Sequence, residues 1–370
     1  MKVAIIGGGV IGCAIGLRLA QAGVDVTVLE RSIPGAEASS AAAGILGAQA
    51  ESEGEGPLFQ LCLASRARYA AFAEELETLS GLPVGYRPCG LLDLAFDEPS
   101  STALGELTRS QRGQGLRAEP LTAEQARALE PSLGAEVRSA ALFPDDAQVD
   151  NRLLVTALAA AAGRVGVRFR TAQVRGIAHE GARAVGVELT GERLAADAVV
   201  VAAGAWTGWV AGTGLAADAV TPARGQMVML RTERPLLSRV LFAKGRYLVP
   251  RADGRLIVGS TLELDGYEKR VSVDGLASLL QFARELCPEL GSATVVETWA
   301  GLRPFTADHL PILGPGPLEG LFIASGHHRN GILLTPVTGD LMAECILGRP
   351  PSIDLTPFRW ERLQTGPAGS

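Results

Sequence analysis

The chain has 370 residues, of which 47% are apolar and 20% charged, which suits two or three globular domains and excludes a disordered chain. The net charge is −6 and the isoelectric point is near 5.4, so we expect no nucleic-acid partner and no binding to an anionic membrane. Five cysteines without a C-x-x-C spacing predict free thiols in a reducing cytoplasm, with neither a disulfide scaffold nor a metal site.

Two apolar stretches have the length of membrane signals. Residues 2–17 resemble a short signal peptide, but glycines interrupt them and no A-x-A-like cleavage site follows. Residues 198–217 carry no charge and are long enough to span a bilayer, but they contain four glycines and two threonines. Because residues 199–201 have the pattern of a buried strand, we predict no membrane segment.

The first thirty residues contain a complete strand–helix–strand unit. A β-branched run at 2–6, bounded by glycine, predicts a buried strand of a parallel sheet. Apolar side chains recur with helical spacing over 10–22, and Gly23 stands where a helix would end. Residues 26–30 predict the second strand.

The rest of the chain alternates helical and strand patterns without an internal repeat. Helices are predicted at 60–80, 122–130, 150–163, 274–287 and 338–347. Strands are predicted at 165–170, 184–189, 198–203, 226–230, 247–250, 256–259 and 320–325. Thr122 is expected to begin its helix in a capping box with Gln125.

The order of these elements predicts an α/β fold in which one domain is assembled from separated segments. A nucleotide-binding unit opens the chain, strand-rich segments interrupt it, and buried strands flanked by glycine return near residues 200 and 322. We expect a Rossmann-like domain and an inserted, mostly antiparallel β-sheet domain that binds the substrate. The first comprises residues 1–80, 146–218 and 300–370, and the second comprises residues 81–145 and 219–299.

The turn after the first strand fits the dinucleotide-binding pattern G-x-G-x-x-G. Gly7, Gly9 and Gly12 hold the glycine positions, and Glu30 ends the next strand. Glycines allow backbone N–H groups to approach a pyrophosphate, and the helix N-terminus adds positive partial charge. Glu30 is suited to accept hydrogen bonds from a ribose hydroxyl. The pattern predicts a bound dinucleotide but does not distinguish FAD from NAD.

Two further segments consist of small residues. Residues 39–47 would let backbone lie against a flat ligand or a pyrophosphate, although such a run is more often a helix N-terminus. Residues 199–206 lead from a strand into a turn of small residues. Such turns occur where the carboxyl edge of a sheet meets a bound nucleotide.

Three C-terminal motifs make the sequence similar to a known family. They are Tyr-Leu-Val-Pro-Arg at 247–251, Ala-Gly-Leu-Arg-Pro at 300–304 and Gly-His-His-Arg-Asn-Gly at 326–331. Together with the N-terminal glycines and the segments 41–44 and 48–51, they resemble the FAD-dependent amine oxidases. This family includes D-amino acid oxidase, sarcosine oxidase and glycine oxidase. The similarity extends over residues 3–348 and is strongest to the glycine oxidases of bacterial thiamine biosynthesis.

The resemblance implies FAD as a non-covalent cofactor. Sarcosine oxidases attach their flavin through a cysteine, and none of the five cysteines falls within residues 300–334. Residues 327–333 are expected to surround the isoalloxazine, where their N–H groups and the following helix would stabilise the reduced flavin. The residues implied to contact FAD are Gly7, Gly9, Val10, Ile11, Gly12, Glu30, Arg31, Ser39, Ser40, Ala43, Gly44, Ile45, Val174, His327, His328, Arg329, Asn330, Gly331, Ile332 and Leu333.

Three side chains are implied to hold or act on the substrate. Arg303 presents a planar fork that matches a carboxylate, and its apolar neighbours would leave it poorly solvated without an anion. Tyr247 is expected to donate its hydroxyl to the same carboxylate, and Arg329 to be a second cation near the carboxylate or the flavin. The ordinary alternatives are a structural salt bridge for each arginine and a strand-core position for the tyrosine.

The activity implied is oxidation of glycine and other small amines or D-amino acids by oxygen. Hydride leaves Cα for flavin N5, and the products are a keto acid, ammonia or an amine, and hydrogen peroxide. The motifs contain no evident side-chain base, so we expect the neutral amine to supply the electron pair. The family also implies a homo-oligomer, in many members a tetramer.

Other functions stay open on the sequence alone. A D-amino acid dehydrogenase would pass its electrons to a quinone or a partner protein. The chain would otherwise be a flavoprotein subunit of a larger complex, or an NAD-dependent dehydrogenase. Ile45 and Leu262 stand where relatives carry methionine, which changes the shape of the pocket and leaves the preferred substrate undecided.

Some conspicuous residues are given ordinary interpretations. Adjacent His327 and His328 cannot easily face one ion, so no metal is expected. Residues 51–56 are expected to form a mobile, solvated surface loop near the pocket entrance. Tryptophans 206, 209, 299 and 360 are expected to be core or packing residues.

Overall fold

Nineteen β-strands and eight α-helices occur in the part of the chain that the computed structural model describes, residues 1–51 and 55–364. The strands are β1 (Lys2–Ile6), β2 (Asp25–Glu30), β3 (Ile45–Leu46), β4 (Leu91–Ala95), β5 (Glu119–Thr122), β6 (Ser139–Phe143), β7 (Ala147–Gln148), β8 (Arg168–Thr171), β9 (Val174–Glu180), β10 (Arg183–Leu189), β11 (Glu192–Ala195), β12 (Ala198–Val201), β13 (Thr221–Arg231), β14 (Val240–Ala243), β15 (Arg246–Pro250), β16 (Arg255–Gly259), β17 (Thr294–Phe305), β18 (Ile312–Pro315) and β19 (Leu321–Ser325). The helices are α1 (Val10–Gln21), α2 (Ala38–Ala41), α3 (Pro57–Ser80), α4 (Glu98–Gly113), α5 (Ala123–Leu129), α6 (Asn151–Arg164), α7 (Val273–Leu286) and α8 (Thr335–Ile346).

A six-stranded sheet is built from the beginning of the chain and from segments far along it. Its order is β18-β19-β12-β1-β2-β8, and all neighbours are parallel except β18 and β19. Helices α1, α3, α6 and α8 cover one face, and the three-stranded sheet β11-β10-β9 covers the other. Burial on both faces explains why β1 and β12 are runs of apolar residues without alternation.

An eight-stranded sheet forms the second layer of structure. Its order is β17-β13-β16-β15-β14-β4-β6-β5, antiparallel throughout except between β14 and β4. Helices α5 and α7 pack on one face, and α4 packs on the other together with residues 43, 45 and 50. The predicted α/β class, with a Rossmann-like sheet and a mostly antiparallel one, is confirmed. Strand β17 runs past residue 300, the boundary expected between the two domains.

The predicted elements are present, with shifted ends. Helix α6 continues to Arg164 with Val165 as its C-cap, so the strand predicted from 165 begins only at β8. Helix α8 begins at Thr335, three residues before its prediction. The capping box is confirmed, since the Gln125 N–H donates to Thr122 Oγ1 at 3.2 Å and the Thr122 N–H to Gln125 Oε1 at 2.9 Å.

Two expectations from apolar composition have different outcomes. Residues 198–217 contain β12 and a 3₁₀ helix at Gly204–Trp209, and no helix within residues 1–51 and 55–364 is long and apolar enough to cross a membrane. The expectation of a packing role is wrong for Trp209, which is 60% exposed. Its ring contacts Tyr267 at a centroid distance of 4.3 Å beside a surface cavity.

Candidate active site

Two joined cavities lie where α1 meets the two large sheets. The arginine cavity, lined by Arg303 and Arg329, lies between the six-stranded and eight-stranded sheets. The tryptophan cavity, lined by Trp206 and Trp209, lies at the carboxyl ends of β1, β2 and β12. With their open mouths they contain about 1130 and 1160 Å³ of space. Gly9 and Ser39 line both, so the two form one elongated cleft.

The glycine-rich turn gives this cleft its narrow middle. Gly7 has φ +105°, and a Cβ there would stand 2.4 Å from the Ala202 carbonyl oxygen, so no other residue fits. Helix α1 begins at Val10, whose N–H donates to Ser39 Oγ at 3.1 Å. The positive end of this twelve-residue helix therefore faces the junction of the cavities, where a pyrophosphate is favoured.

Polar and aromatic groups line the tryptophan cavity. Glu30 Oε2 accepts from the Gly8 N–H at 2.9 Å. The Arg31 guanidinium lies over the Trp206 ring at 3.8 Å from its centroid. Val174, at the start of β9, also lines this cavity. A carboxylate, a flat stacked surface and exposed backbone suit an adenosine.

Backbone of small residues forms one wall of the arginine cavity. Gly44 has φ +75°, and a Cβ there would overlap the Val149 carbonyl oxygen. Arg251, which is 6% exposed, donates to the Ala43 carbonyl at 2.8 Å and to the Val149 carbonyl at 3.0 Å. Burial lowers the pKa of Arg251 to about 10, which still leaves it charged at neutral pH. This arginine therefore holds the wall in place from behind.

Arg303 is a cation without a carboxylate partner. Its Nη2 donates to Ser260 Oγ at 2.5 Å and its Nη1 to the Thr261 carbonyl at 3.5 Å. It has no ion pair within residues 1–51 and 55–364. Its guanidinium lies against Gly225 of β13, where a Cβ would stand 2.3 Å from both Nη atoms. A desolvated guanidinium with one free side is a binding site for an anion.

Tyr247 and Arg329 line the same cavity from two other elements. Tyr247 projects from β15, and its hydroxyl lies 3.5 Å from Met227 Sδ, a weak hydrogen bond that a carboxylate would readily replace. Arg329 is exposed and forms no ion pair with the described residues. The three side chains predicted to hold the substrate are thus together in one cavity.

The paired histidines have separate environments. His327 Nε2 lies 3.1 Å from Thr338 Oγ1 of α8, whereas His328 Nε2 is buried and has no hydrogen-bond partner in the described structure. Burial lowers the pKa of both imidazoles to about 3, so both are neutral at physiological pH. A neutral ring on a wall of the cavity leaves the charge there to the arginines and to one carboxylate.

That carboxylate belongs to Glu51, and the expectation of a solvated loop is wrong for this residue. Glu51 is half-buried and lines the arginine cavity, while the predicted positions 52–54 lie outside the described residues. Burial raises the pKa of its carboxyl to about 7, against the lowering effect of Arg329 and Arg303. Sequence reasoning missed it because its apolar surroundings come from distant segments.

Most residues predicted to contact FAD line the cleft. In the arginine cavity these are Gly9, Val10, Ile11, Ser39, Ala43, Gly44, Ile45, His327, His328, Arg329, Gly331 and Ile332. In the tryptophan cavity they are Gly7, Gly9, Glu30, Arg31, Ser39 and Val174. The remaining four, Gly12, Ser40, Asn330 and Leu333, line neither cavity. Gly12 instead packs under the Gly7 carbonyl, and the Leu333 carbonyl accepts from Ser65 Oγ at 2.6 Å.

Other wall residues gave no sequence signal. Gly225 and Met227 on β13, Phe242 on β14 and Ser260 after β16 line the arginine cavity through strand pairings over long sequence distances. Conversely Leu262, expected to shape the pocket, is 52% exposed and does not line it. Ile45 does line it, as expected.

The family follows from a comparison with known proteins. The family model described as DAO, FAD dependent oxidoreductase, matches residues 2–345. The chain belongs to this family. The dinucleotide predicted from the glycine-rich turn is therefore FAD, and the NAD-dependent alternative is wrong. The elongated cleft, with a helix N-terminus at its middle, fits a molecule of this shape.

Individual relatives are similar over the whole chain. Glycine oxidase of Geobacillus kaustophilus is 42% identical over 365 residues, which cover 97% of this chain and 96% of the relative. Its crystal structure superposes with a TM-score of 0.92, covering 97% of this chain and 98% of the other. The bifunctional protein ThiO/ThiG of Synechocystis is 41% identical over 371 residues, 98% of this chain and 54% of that longer protein.

Proposed function

We propose that this FAD-dependent enzyme oxidises glycine and other small amines or D-amino acids with oxygen. The observation that carries the proposal is the guanidinium of Arg303, which faces the cleft and pairs with no described carboxylate. A chain 42% identical to a glycine oxidase over nearly its whole length, with such an anion site, supports a small amino acid as substrate.

We assign the carboxylate of the substrate to Arg303 and Tyr247. The guanidinium accepts two oxygens in its plane, and the phenol donates a hydrogen bond to one of them. Arg329 provides a second positive charge at the same cavity. Fixing the carboxylate fixes the direction of Cα–H, and such positioning supplies much of the rate acceleration in reactions without a covalent intermediate.

The cofactor residues are proposed from their places in the cleft. Glu30, Arg31 and Val174 would hold the adenosine half, Gly9 and Ser39 the pyrophosphate, and the walls at 43–45 and 327–332 the isoalloxazine. When bound, FAD accepts hydride from Cα and transfers the electrons to oxygen, giving hydrogen peroxide. No cysteine lines either cavity in the described structure, which supports non-covalent attachment.

Three coarser expectations are kept as proposals. The similarity to a protein named ThiO/ThiG supports a role in thiamine biosynthesis. Free cysteines at all five positions agree with a reducing cytoplasm. A homo-oligomer, as tetramers in the family imply, stays a prediction, as do the domain boundaries.

The deciding experiment is a peroxide-coupled assay of the purified yellow protein. Glycine, sarcosine and a panel of D- and L-amino acids are supplied, and the flavin spectrum is followed with and without air. We expect glycine to bleach the flavin anaerobically and air to restore it with formation of peroxide. Bleaching by a larger D-amino acid, with slow recovery in air, would instead support the dehydrogenase.

Substitution of Arg303 tests the carboxylate site. Arg303→Ala should raise KM for glycine at least about a hundredfold, because a charge-assisted bidentate contact is lost. Arg183→Ala, which removes an exposed arginine paired with Glu319, is the matched control and should leave KM unchanged. An unaltered kcat/KM in Arg303→Ala would refute the assignment.

A further inference from the structure

The carboxylate of Glu51 is a feature of the cleft that the proposed function leaves unused. Among the described residues that line the arginine cavity it is the single acidic side chain, and it faces two arginines and two neutral histidines. Its oxygens accept no hydrogen bond from the described residues. A half-buried carboxylate left without a donor is expensive unless a ligand supplies one.

The turn that carries Glu51 is held rigidly from below. Asp146, which is fully buried, accepts from the backbone N–H groups of Gln49 at 3.2 Å and Ala50 at 3.0 Å and pairs with Arg66 at 2.6 Å. The Glu51 N–H closes the turn onto the Gly47 carbonyl at 3.2 Å. Because these bonds do not involve the Glu51 carboxylate, the side chain is free to serve the cavity.

The charges around Glu51 come from every element packed against it. Arg329 after β19 and Arg303 on β17 favour its ionised form, whereas buried Asp146 disfavours it. Cys62 on α3 is a buried thiol whose pKa is raised by burial and by Glu51, so it stays neutral. Burial outweighs the arginines and brings the pKa of Glu51 to about 7. The carboxylate is therefore able both to accept and to release a proton near neutral pH.

We propose that Glu51 binds the ammonium group of the substrate and accepts its proton before oxidation. This inference rests on the proposed function, since an amino acid reaches the cleft as a zwitterion. Arg303 and Arg329 complement its carboxylate, and Glu51 complements its ammonium, so both charges are matched. The N–H bond breaks, an O–H bond forms on Glu51, and the electron pair stays on nitrogen.

This proton transfer answers the need that the motifs left open. Hydride leaves Cα only when nitrogen has a free pair to form the C=N bond, and an ammonium has none. Tyr247 lies on the carboxylate side, and the histidines, with pKa values near 3, are poor acceptors. Half-exposed Glu51 then gives the proton to water at the mouth of the cavity, which restores its charge.

The test is the pH dependence of anaerobic flavin reduction by glycine in the FAD-loaded enzyme. Glu51→Gln keeps the shape and removes the acceptor, so its rate at pH 7 should fall about a hundredfold. The deficit should nearly vanish close to pH 10, where aliphatic amines lose their own proton. Glu51→Asp should restore part of the neutral-pH rate. Glu55→Gln is the matched control, since this exposed carboxylate instead accepts from Gln114 at 2.8 Å and lies outside the cavity lining.

A second measurement separates a proton acceptor from a structural role. Acetate has a carboxylate and no amine, so its dissociation constant, followed by flavin absorbance, should be unchanged in Glu51→Gln and weakened in Arg303→Ala. A Glu51→Gln deficit equal at every pH, or an acidic limb identical to that of the wild type, overturns the inference. If glycine fails to reduce the wild-type flavin at any pH, the proposed function fails and the inference fails with it.

Discussion

The position of Arg303 depends on a glycine on the neighbouring strand. Strands β13 and β17 pair so that Ala223 is opposite Arg303 and Gly225 is opposite Gly301. The guanidinium folds back over Gly225, where the missing side chain leaves room for it. A planar cation thus lies flat against backbone with one edge open to the cavity, the orientation that a carboxylate needs.

Gly225→Ala should therefore impair activity more than stability. The new Cβ would stand 2.3 Å from the Arg303 Nη atoms and would push the guanidinium out of place. Because the displaced group is the end of a flexible side chain, we expect unfolding free energy to change by less than about 1 kcal/mol. The value of kcat/KM for glycine should fall at least about tenfold. Steady-state kinetics and urea unfolding measure the two quantities.

The control is the same substitution where space is free. Gly105 lies within α4, and a Cβ there meets nothing within 4 Å. Gly105→Ala should leave kcat/KM unchanged and stabilise the helix by about 0.5–1 kcal/mol. Equal kinetic effects of the two substitutions would contradict the role given to Gly225.

Sequence reasoning at the residue scale succeeded where a motif carried the chemistry. Arg303, Tyr247 and Arg329 were expected at one site, and the structure brings them to one cavity. Glu51 was misjudged because two polar residues, a glycine and another glutamate follow it, a pattern typical of a solvated loop. Its burial is created by residues such as Arg303 and Arg329, which are more than 250 positions away in the chain.

At the scale of elements, Arg251 joins strand β15 to the opposite wall of the cleft. It stands directly after β15 and bonds to Gln148 and Asn151 as well as to the carbonyls of Ala43 and Val149. The wall at 43–45, proposed to lie against the isoalloxazine, has no comparable support of its own, because α2 before it is a single turn. One buried cation therefore couples the eight-stranded sheet to the cofactor site.

Arg251→Gln should loosen that coupling. Loss of the cation leaves buried carbonyls unsatisfied, which costs about 2–4 kcal/mol of unfolding free energy. We also expect weaker FAD retention, measured by equilibrium dialysis alongside urea unfolding. In Arg138→Gln the lost partner is Glu98 in a pair more than half exposed, so the cost should stay below about 1 kcal/mol. Wild-type stability in Arg251→Gln would count against the coupling.

Which elements were predicted follows from how locally they are determined. The capping box at Thr122 was predicted because both partners lie within one turn of helix. Helix α4 was missed because only three of its residues, Leu104, Thr108 and Gln111, are buried, so its apolar repeat is weak. Strands β4, β6 and β14 were missed because short apolar runs are ambiguous until partners pair with them.

At the scale of the whole molecule, the cofactor cleft is where the two large sheets meet. The arginine cavity takes its walls from α1, β12 and β19 on one side and from β13, β15 and β17 on the other. A ligand that contacts both sides stabilises the folded arrangement by mass action, because the unfolded chain offers no such cleft. Stability and FAD binding are therefore linked.

Removing FAD should lower the melting temperature, and adding it back should restore it. Free FAD at a hundred times its dissociation constant adds about 2.7 kcal/mol to the unfolding free energy. Thermal unfolding of the stripped protein across a titration of FAD measures this, and NAD at the same concentrations is the control ligand. Acid precipitation should release the yellow colour into solution. A melting temperature insensitive to FAD, or colour retained by the precipitate, would contradict a non-covalent cofactor held between the sheets.

The sequence by itself determined what short-range physics controls: the strand–helix–strand unit with its glycine-rich turn, the capped helices, and the motifs around Tyr247, Arg303 and Arg329. Tertiary structure decided which distant segments share one cleft. Only the pairing of β13 with β17 places Gly225 beneath Arg303, and only the buried Asp146 and Arg66 pair holds Glu51 at the cavity. Burial and the summed field of charges depend on neighbours that local sequence does not specify, and these set the chemistry of a carboxylate such as Glu51.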